Sequence, residues 1–278
     1  MRRALALALL ALATAGCGAS SSATPPITVG AARTFELARF QLADAVAGRP
    51  AHLAFAVDQP SGAPLTRYRT GAGPHTGVHV IFVRSDLGAI VHRHPPIGPD
   101  GTIDDDLTFP SGGRYRMVVD VYPAAGPQRN FQLFRWVDVG GKPTPAAPVG
   151  TQSAVTSDGD RFVLRSRPRL RAIQAKFLSF SVTDRHGGPA RFSPWYGALA
   201  HAIFFREGTL DYFHTHVCGP GAPACTAAVG TSRVTGTSTA PGVLKVGVLL
   251  PVPGTWHLFL QTKIDGRVVT APFRLVVR

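Results

Sequence analysis

The sequence has 278 residues, with 29 Lys and Arg against 16 Asp and Glu, which gives a formal net charge of +13 at pH 7. The positive charge is mostly dispersed arginine, without a basic run interleaved with aromatic residues, so nucleic acid is not an expected partner. Beyond the N-terminal segment no stretch is apolar and long enough for a transmembrane helix, and about 250 residues remain, enough for two domains of ordinary size.

The N-terminal segment 1–17 has the parts of a bacterial signal peptide. Basic residues come first, residues 4–13 form an unbroken Ala and Leu run, and small residues lead to Cys17. This arrangement resembles a lipobox, in which the cysteine sulfur receives diacylglycerol; a secreted protein cleaved near Ala19 is the alternative. Residues 18–32, rich in Ser, Ala, Thr and Pro, predict a flexible tether, so we expect the protein on the outer face of the cell membrane.

Short apolar or alternating runs enriched in β-branched and aromatic residues follow the tether. Between them, 30 glycines and 24 prolines leave little room for long helices. The predicted strands are 33–41, 53–57, 78–83, 115–121 and 131–139 in the first half, and 161–169 at the start of the second. The pattern predicts an all-β fold of two tandem immunoglobulin-like β-sandwich domains, 33–139 and 160–278, joined by an aperiodic linker, 140–159.

The two predicted domains arise from an internal duplication. Three histidines recur at separations of thirteen and two residues: His79, His92 and His94, then His201, His214 and His216. Three further blocks recur in the same order: 53–57 with 178–182, 109–115 with 250–256, and 134–137 with 273–276. Four co-linear blocks are hard to obtain by chance, and they indicate that each repeat is one complete domain.

The repeated histidines are candidate metal ligands. Residues two apart on a strand face the same side, and a hairpin turning at 86–88 would bring His79 opposite His92 or His94. The second trio would converge in the same way around a turn at 207–208. Three imidazoles suit Cu(II), Zn(II) or Ni(II); copper is the first choice and zinc the second, because an extracytoplasmic His-rich sandwich is typical of copper handling.

The ligand set of such a site stays open at this point. Water, Asp120 or an acid from 104–106 is the candidate fourth ligand in the first repeat, and the second repeat has no counterpart to that acidic run. With two methionines, Met1 and Met117, a methionine-rich Cu(I) site is excluded. Strand histidines also serve as hydrogen-bonded core or loop residues, which is the alternative for both trios. The remaining histidines are weaker candidates: His75 and His257 near the trios, and His52 and His186 without a counterpart.

Two cysteines remain after Cys17. Cys218 and Cys225 are separated by six residues, and in an oxidising compartment this spacing predicts a local disulfide, with a thiolate metal pair as the alternative. The sequence contains no Gly-x-Ser-x-Gly elbow, no His-Glu-x-x-His helix and no nucleotide-binding glycine-rich loop. The protein is therefore not expected to be an enzyme.

A resemblance is carried by the second half of the chain. Its motifs are Gly-Ala-x-x-His201, Phe-His-Thr-His ending at His216, the 251–261 block and the Thr-Ala-Pro-Phe-Arg block 270–274. They resemble a family of actinobacterial secreted proteins and lipoproteins that is loosely similar to periplasmic copper-handling domains of the CopC and YtkA kinds. The resemblance implies metal ligation by the second trio and, through the duplication, by the first. The family usually has Pro after His-x-His, as at Pro95, whereas the second copy has Val217, which leaves open whether both sites share one ligand set.

The sequence thus predicts a non-enzymatic, lipid-anchored metal-binding protein, with copper favoured, that serves in metal storage, delivery or buffering. Its expected partners are the membrane, through the lipid, and a metal transporter or another envelope protein. The alternative is a non-metal envelope scaffold or interaction module in which the histidines order loops.

Overall fold

The computed structural model describes residues 34–70, 77–126, 130–146, 149, 153–166, 169–220, 228–229 and 232–278. Within these ranges the secondary structure consists of β-strands, and no helix there is long and apolar enough to cross a membrane. The predictions that concern Cys17, the tether 18–32, His75 and Cys225 lie outside the described residues.

The first repeat is a sandwich of two antiparallel sheets. Its strands are β1 Glu36–Gln41, β2 Pro50–Asp58, β3 Val78–Arg84, β4 Ile90–Arg93, β5 Ile103–Thr108, β6 Gly113–Val121 and β7 Phe131–Val139. One sheet has the order β1-β2-β5 and the other β4-β3-β6-β7. Between them lies a core that includes Phe55, Phe82 and Phe109, all essentially fully buried.

The second repeat has the same strand order. Its strands are β8 Ala154–Ser157, β9 Asp160–Leu164, β10 Lys176–Thr183, β11 Phe192–Ser193, β12 Ala200–Arg206, β13 Tyr212–Cys218, β14 Ala228–Val229, β15 Ser232–Arg233, β16 Gly236–Thr237, β17 Val243–Val248, β18 Gly254–Ile264 and β19 Arg267–Val277. The set β9-β10-β17 corresponds to β1-β2-β5, and β13-β12-β18-β19 to β4-β3-β6-β7. The short β16 pairs with both β13 and β17 and so joins the two layers at one edge. The fold prediction, two tandem immunoglobulin-like β-sandwiches, is confirmed.

The predicted linker 140–159 contains a strand that the sequence reading missed. Strand β8 pairs with β9 through a tight turn at Asp158 and Gly159, both of which have positive φ. An Asp-Gly pair between two short runs is a strong hairpin signature, because this turn requires two residues that tolerate positive φ. The structure therefore places the second domain's first strand before residue 160.

The repeated Pro-x-x-Gly-x-aromatic block leads into β6 in the first repeat and into β18 in the second. These strands belong to β4-β3-β6-β7 and to β13-β12-β18-β19, which we call the inner sheets; β1-β2-β5 and β9-β10-β17 are the outer sheets. Gly113 and Gly254 have φ of 131° and 138°, a region that disfavours other residues. A Cβ added at Gly254 would lie 2.5 Å from the Nε atom of Arg206, so any side chain at this position would collide with the arginine. The aromatic residues that follow, Tyr115 and Trp256, are fully buried.

The two sandwiches pack against each other through their β4-β3-β6 and β13-β12-β18 faces. Ile81 and Val118 of the first repeat form one buried cluster with Ile203, Phe205 and Phe259 of the second. Alternation along a strand sends successive side chains to opposite faces, so β3 and β12 contribute to the domain cores and to this interface at once. That double burial explains why all seven residues of β3 are buried.

Candidate metal centre

Two hairpins position the six histidines. In the first repeat β3 and β4 pair with Ile81 opposite His92. In the second, β12 and β13 pair with His201 opposite His216 and Ile203 opposite His214. The hairpins predicted from the thirteen-residue separation are therefore confirmed.

Strand alternation directs the histidines into the interface between the sandwiches. On β12, Ala202 and Phe204 point into the core of their own sandwich, whereas His201, Ile203 and Phe205 point towards the other repeat. The same alternation on β3 places His79 on the interface side. His79, His92, His201 and His216 are all at most 5% exposed, and His94 and His214 are partly buried.

The histidines group across the repeats and not within them. One group consists of His79 with His214 and His216, and the other of His201 with His92 and His94. In each group one ligand atom per residue lies within 4.8 Å of the other two. We name them the His79 trio and the His201 trio.

The expectation of one trio per repeat is thus wrong in its grouping. The two sandwiches pack face to face, and the leading histidine of each repeat lies near the His-x-His pair of the other. Sequence spacing describes one hairpin at a time, and it contains no information about which hairpin faces it.

In the His201 trio, hydrogen bonds define which ring nitrogens remain for a ligand. The Nε2 atom of His201 lies 2.9 Å from the carbonyl oxygen of Trp195, so Nε2 carries the proton and Nδ1 keeps its lone pair. The Nδ1 atom of His92 lies 3.2 Å from Oε1 of Gln261. Its Nε2 lies 3.0 Å from Nε2 of His94, a separation that suits two nitrogens ligating one ion.

The His79 trio lies beside a buried carboxylate. Asp120 is opposite His79 in the β3–β6 pairing, and its Oδ2 lies 3.7 Å from Nδ1 of the histidine. The carboxylate also accepts hydrogen bonds from the Tyr122 hydroxyl and the Gln132 amide, at 2.9 and 2.8 Å. Asp120 is thus held in place by its neighbours beside the ring of His79, in the position that a residue behind a metal ligand takes.

His214 has two buried ring nitrogens that lack a hydrogen-bond partner among the described residues. The Nδ1 atom of His201 is likewise buried without a hydrogen-bond partner among the described residues. A buried polar atom without a partner costs about 1–3 kcal/mol, so such atoms are uncommon unless a ligand satisfies them.

Burial keeps four of the histidines neutral: His92, His94, His201 and His214. It lowers the pKa of His201 to about 3, against the opposing hydrogen bond to the Trp195 carbonyl. For His92, His94 and His214 burial is again the largest cause, followed by the neighbouring histidines, and it places each pKa well below the ordinary value. Neutral imidazole is the form that ligates metal ions, so these four side chains need not lose a proton before they bind an ion.

Aromatic rings enclose the cluster. Tyr196 stacks on His94 with ring centroids 4.2 Å apart, and Trp195 lies 5.1 Å from the ring of His201. On the opposite side Tyr122 and Tyr212 lie near His79 and His214. We call the region enclosed by the six histidines and these rings the chamber. Its aromatic surroundings strengthen electrostatic interactions inside it.

The other candidate ligands of the sequence lie elsewhere. Residues 104–106 belong to β5 in the outer sheet, where Asp106 bonds exposed His52. The Nε2 atom of His257 is hydrogen-bonded to Oε1 of Glu207 at 2.7 Å. Met117 points into the first core. The sequence analysis missed five neighbours of the site: Tyr122, Trp195, Tyr196, Tyr212 and Gln261. Strand register alone would have suggested Gln261, because it lies opposite His201 as Asp120 lies opposite His79.

Cys218 is the buried last residue of β13. Because Cys225 lies outside the described residues, the disulfide stays a prediction.

Comparison with known proteins identifies the repeats but not their ligand. Residues 33–137 and 154–278 each match a family described as "Domain of unknown function (DUF8832)". None of the curated proteins matches the chain significantly. The family description names no ligand, so the predicted likeness to CopC and YtkA domains stays a prediction.

Solved structures match the chain at low similarity. The FdeC adhesin of Escherichia coli is 16% identical, with 89% of this chain and 65% of that chain covered and a TM-score of 0.25. A membrane-anchored protein of Corynebacterium diphtheriae is 10% identical, with 86% and 57% covered and a TM-score of 0.24. Fibronectin(III)-like modules of Clostridium thermocellum CbhA are 12% identical, with 87% and 93% covered and a TM-score of 0.21. The chain spans less than two thirds of the first two, and likeness at this level carries no functional argument.

Proposed function

The chain belongs to the DUF8832 family, and we propose that this member binds transition-metal ions, copper above all, in the chamber between its two sandwiches. The observation that carries the proposal is the pair of mixed trios, each with three imidazole nitrogens within 4.8 Å of one another. Each trio takes one ion in this proposal, and ligands from both repeats are needed for either site.

Burial energetics support a ligand at this position. Histidines in a dry interface are costly unless their nitrogens have partners, and apolar residues of similar volume would pack the same space without that cost. A divalent cation that accepts the lone pairs of His201 Nδ1 and of one ring nitrogen of His214 removes the penalty at those two atoms. Ion binding would also hold the two sandwiches together, because each trio spans the interface.

The donor set favours copper. Imidazole nitrogen suits Cu(II), Ni(II) and Zn(II), and affinity for such a site rises along the divalent series to a maximum at Cu(II). Neither trio contains a carboxylate or a thiolate, so hard cations such as Mg²⁺ and Ca²⁺ are poorly matched. Zinc is the second choice, since three histidines with one open position also form a tetrahedral zinc site.

Calorimetric titration of the metal-free protein with Cu(II) and Zn(II) tests this function. We expect two Cu(II) ions per chain, bound more tightly than Zn(II). The matched control combines His52→Ala and His186→Ala, two exposed histidines outside the cluster, and should bind as the wild type does. Binding by the wild type that is no tighter than that of a folded variant with all six histidines changed to Gln would refute the proposal. If the six-fold variant does not fold, single His214→Gln takes its place and must lose one ion.

Two double variants test the grouping across repeats. His79→Gln with His216→Gln removes two ligands of one mixed trio and leaves the His201 trio whole, so one Cu(II) should still bind with near wild-type affinity. His79→Gln with His94→Gln damages both trios, so tight binding should be lost altogether. Trios confined to single repeats would give the reverse result.

A second candidate is the non-metal envelope interaction module. One observation favours it: the edge strand β7 exposes Phe134 and Trp136, at 47% and 44%, with the guanidinium groups of Arg116 and Arg114 lying 4.3 and 4.6 Å from their rings. A silent Cu(II) titration together with weaker binding of Trp136→Ala to envelope fractions would favour it.

The remaining parts of the proposal concern setting and partners. We place the protein outside the cytoplasm, anchored through lipid on Cys17, and assign it storage, delivery or buffering of the metal without catalysis. Mass spectrometry of the membrane-extracted protein tests the anchor, since diacylglycerol on Cys17 adds a defined mass that Cys17→Ser removes.

A further inference from the structure

The two trios are neighbours within one chamber. Ring centroids in the His79 trio are 5.1, 5.6 and 4.5 Å apart, and in the His201 trio 4.8, 5.5 and 4.8 Å. Between the trios, His79 and His94 stack at 4.2 Å, His201 and His216 are 4.9 Å apart, and His92 and His214 are 5.1 Å apart. These three distances between the trios are no longer than those within them, whereas His201 and His214 are 5.6 Å apart and His79 and His92 are 6.2 Å apart.

From this spacing we infer that the two ions form a single dinuclear centre closed by a small bridging anion, such as hydroxide. The inference rests on the proposed function and specifies its chemistry. Ions held by adjoining trios lie about one ring spacing apart, close to the roughly 4 Å of known two-metal sites. A single oxygen atom can bridge ions at that separation.

Charge makes the bridge necessary. Two divalent ions bring four positive charges into a chamber whose six ligands are neutral. Asp120, beside His79, contributes one negative charge and is held there by Tyr122 and Gln132. Uncompensated charge in a poorly hydrated interior is expensive, so the ions need a further anion. Water bound between them loses a proton to solvent readily, because metal coordination lowers its pKa strongly.

Coordination supplies room for this bridge. Three histidines leave at least one position open on each ion. Asp120 lies next to the His79 trio, whereas the corresponding residue in the second repeat is the neutral Gln261. The two ions therefore differ in their surroundings, and the His79 trio should fill first.

Electron paramagnetic resonance of the copper-loaded protein tests the bridge. The protein is loaded with two equivalents of Cu(II), desalted, and its copper measured by mass spectrometry. We expect two coppers per chain and a Cu(II) signal well below two spins, because a bridging oxygen couples the two unpaired electrons. Acid denaturation must restore both spins, which shows that the copper had not been reduced. Azide should then alter the visible absorption by replacing the bridge.

A matched variant provides the reference. The chain with His79→Gln and His216→Gln retains the His201 trio, so its single copper should give one full spin. Two bound coppers in the wild type with two full, uncoupled spins would overturn the dinuclear centre and leave metal binding intact. One copper per chain would overturn it as well. Absence of tight copper binding would overturn the proposed function itself.

Discussion

The stability of the metal-free protein should fall in mildly acidic solution because His201 is buried in its neutral form. Burial lowers the pKa of His201 to about 3 in the folded protein, whereas the unfolded chain titrates near the ordinary value of about 6.5. Between pH 6.5 and pH 3 the imidazole of His201 binds a proton in the unfolded chain but stays neutral in the folded protein. The stabilisation is therefore complete above pH 6.5 and is lost as the pH falls towards 3. Between pH 8 and pH 5 the loss is about 2 kcal/mol for this one residue.

Urea unfolding of the metal-free protein at pH 8, 6.5 and 5 measures this effect. His201→Gln keeps an N–H donor for the Trp195 carbonyl but cannot be protonated. The wild type should lose about 2 kcal/mol more than the variant between pH 8 and pH 5. His186→Gln, at an exposed turn, is the control and should retain the wild-type slope. Equal slopes for wild type and His201→Gln would show that His201 titrates normally when folded, and the dry chamber would then be wrong.

Three further predictions concern the interface and its supports. Asp120→Asn should weaken the first Cu(II) site about 10- to 100-fold by calorimetry, because a buried carboxylate behind a ligand raises its basicity; unchanged affinity would remove Asp120 from the site. Phe205→Ala should cost about 3–5 kcal/mol in urea unfolding, since its ring is fully buried between the sandwiches, whereas half-exposed Phe177→Ala should cost far less. Gly254→Ala should destabilise the protein by about 1–3 kcal/mol. The loss should exceed that of Gly266→Ala, which also has a positive φ but would meet no atom within 4 Å. Equal losses would mean that Arg206 can move away from the added Cβ without cost.

The strands and hairpins of this protein could be predicted from the sequence because they depend on residues that are close together along the chain. The alternating runs predict the strands, and the thirteen-residue separation predicts the hairpins that set Ile81 opposite His92. The internal duplication adds a second observation of every feature, which is why the fold class and the shared histidine pattern could both be derived. The missed strand β8 was also a local feature, indicated by the turn at Asp158 and Gly159.

The composition of each site depends on contacts between residues more than a hundred positions apart. His79 meets His214 and His216, and His201 meets the first repeat's pair, only because two inner sheets pack face to face. Either hairpin alone presents its three imidazoles on one face, and that face is equally compatible with solvent, a partner or a ligand. The sequence by itself determined two copies of a histidine-bearing sandwich. The tertiary structure decided that the copies share one buried chamber, because apolar side chains such as Ile81 and Phe205 beside the histidines are buried by packing the repeats together.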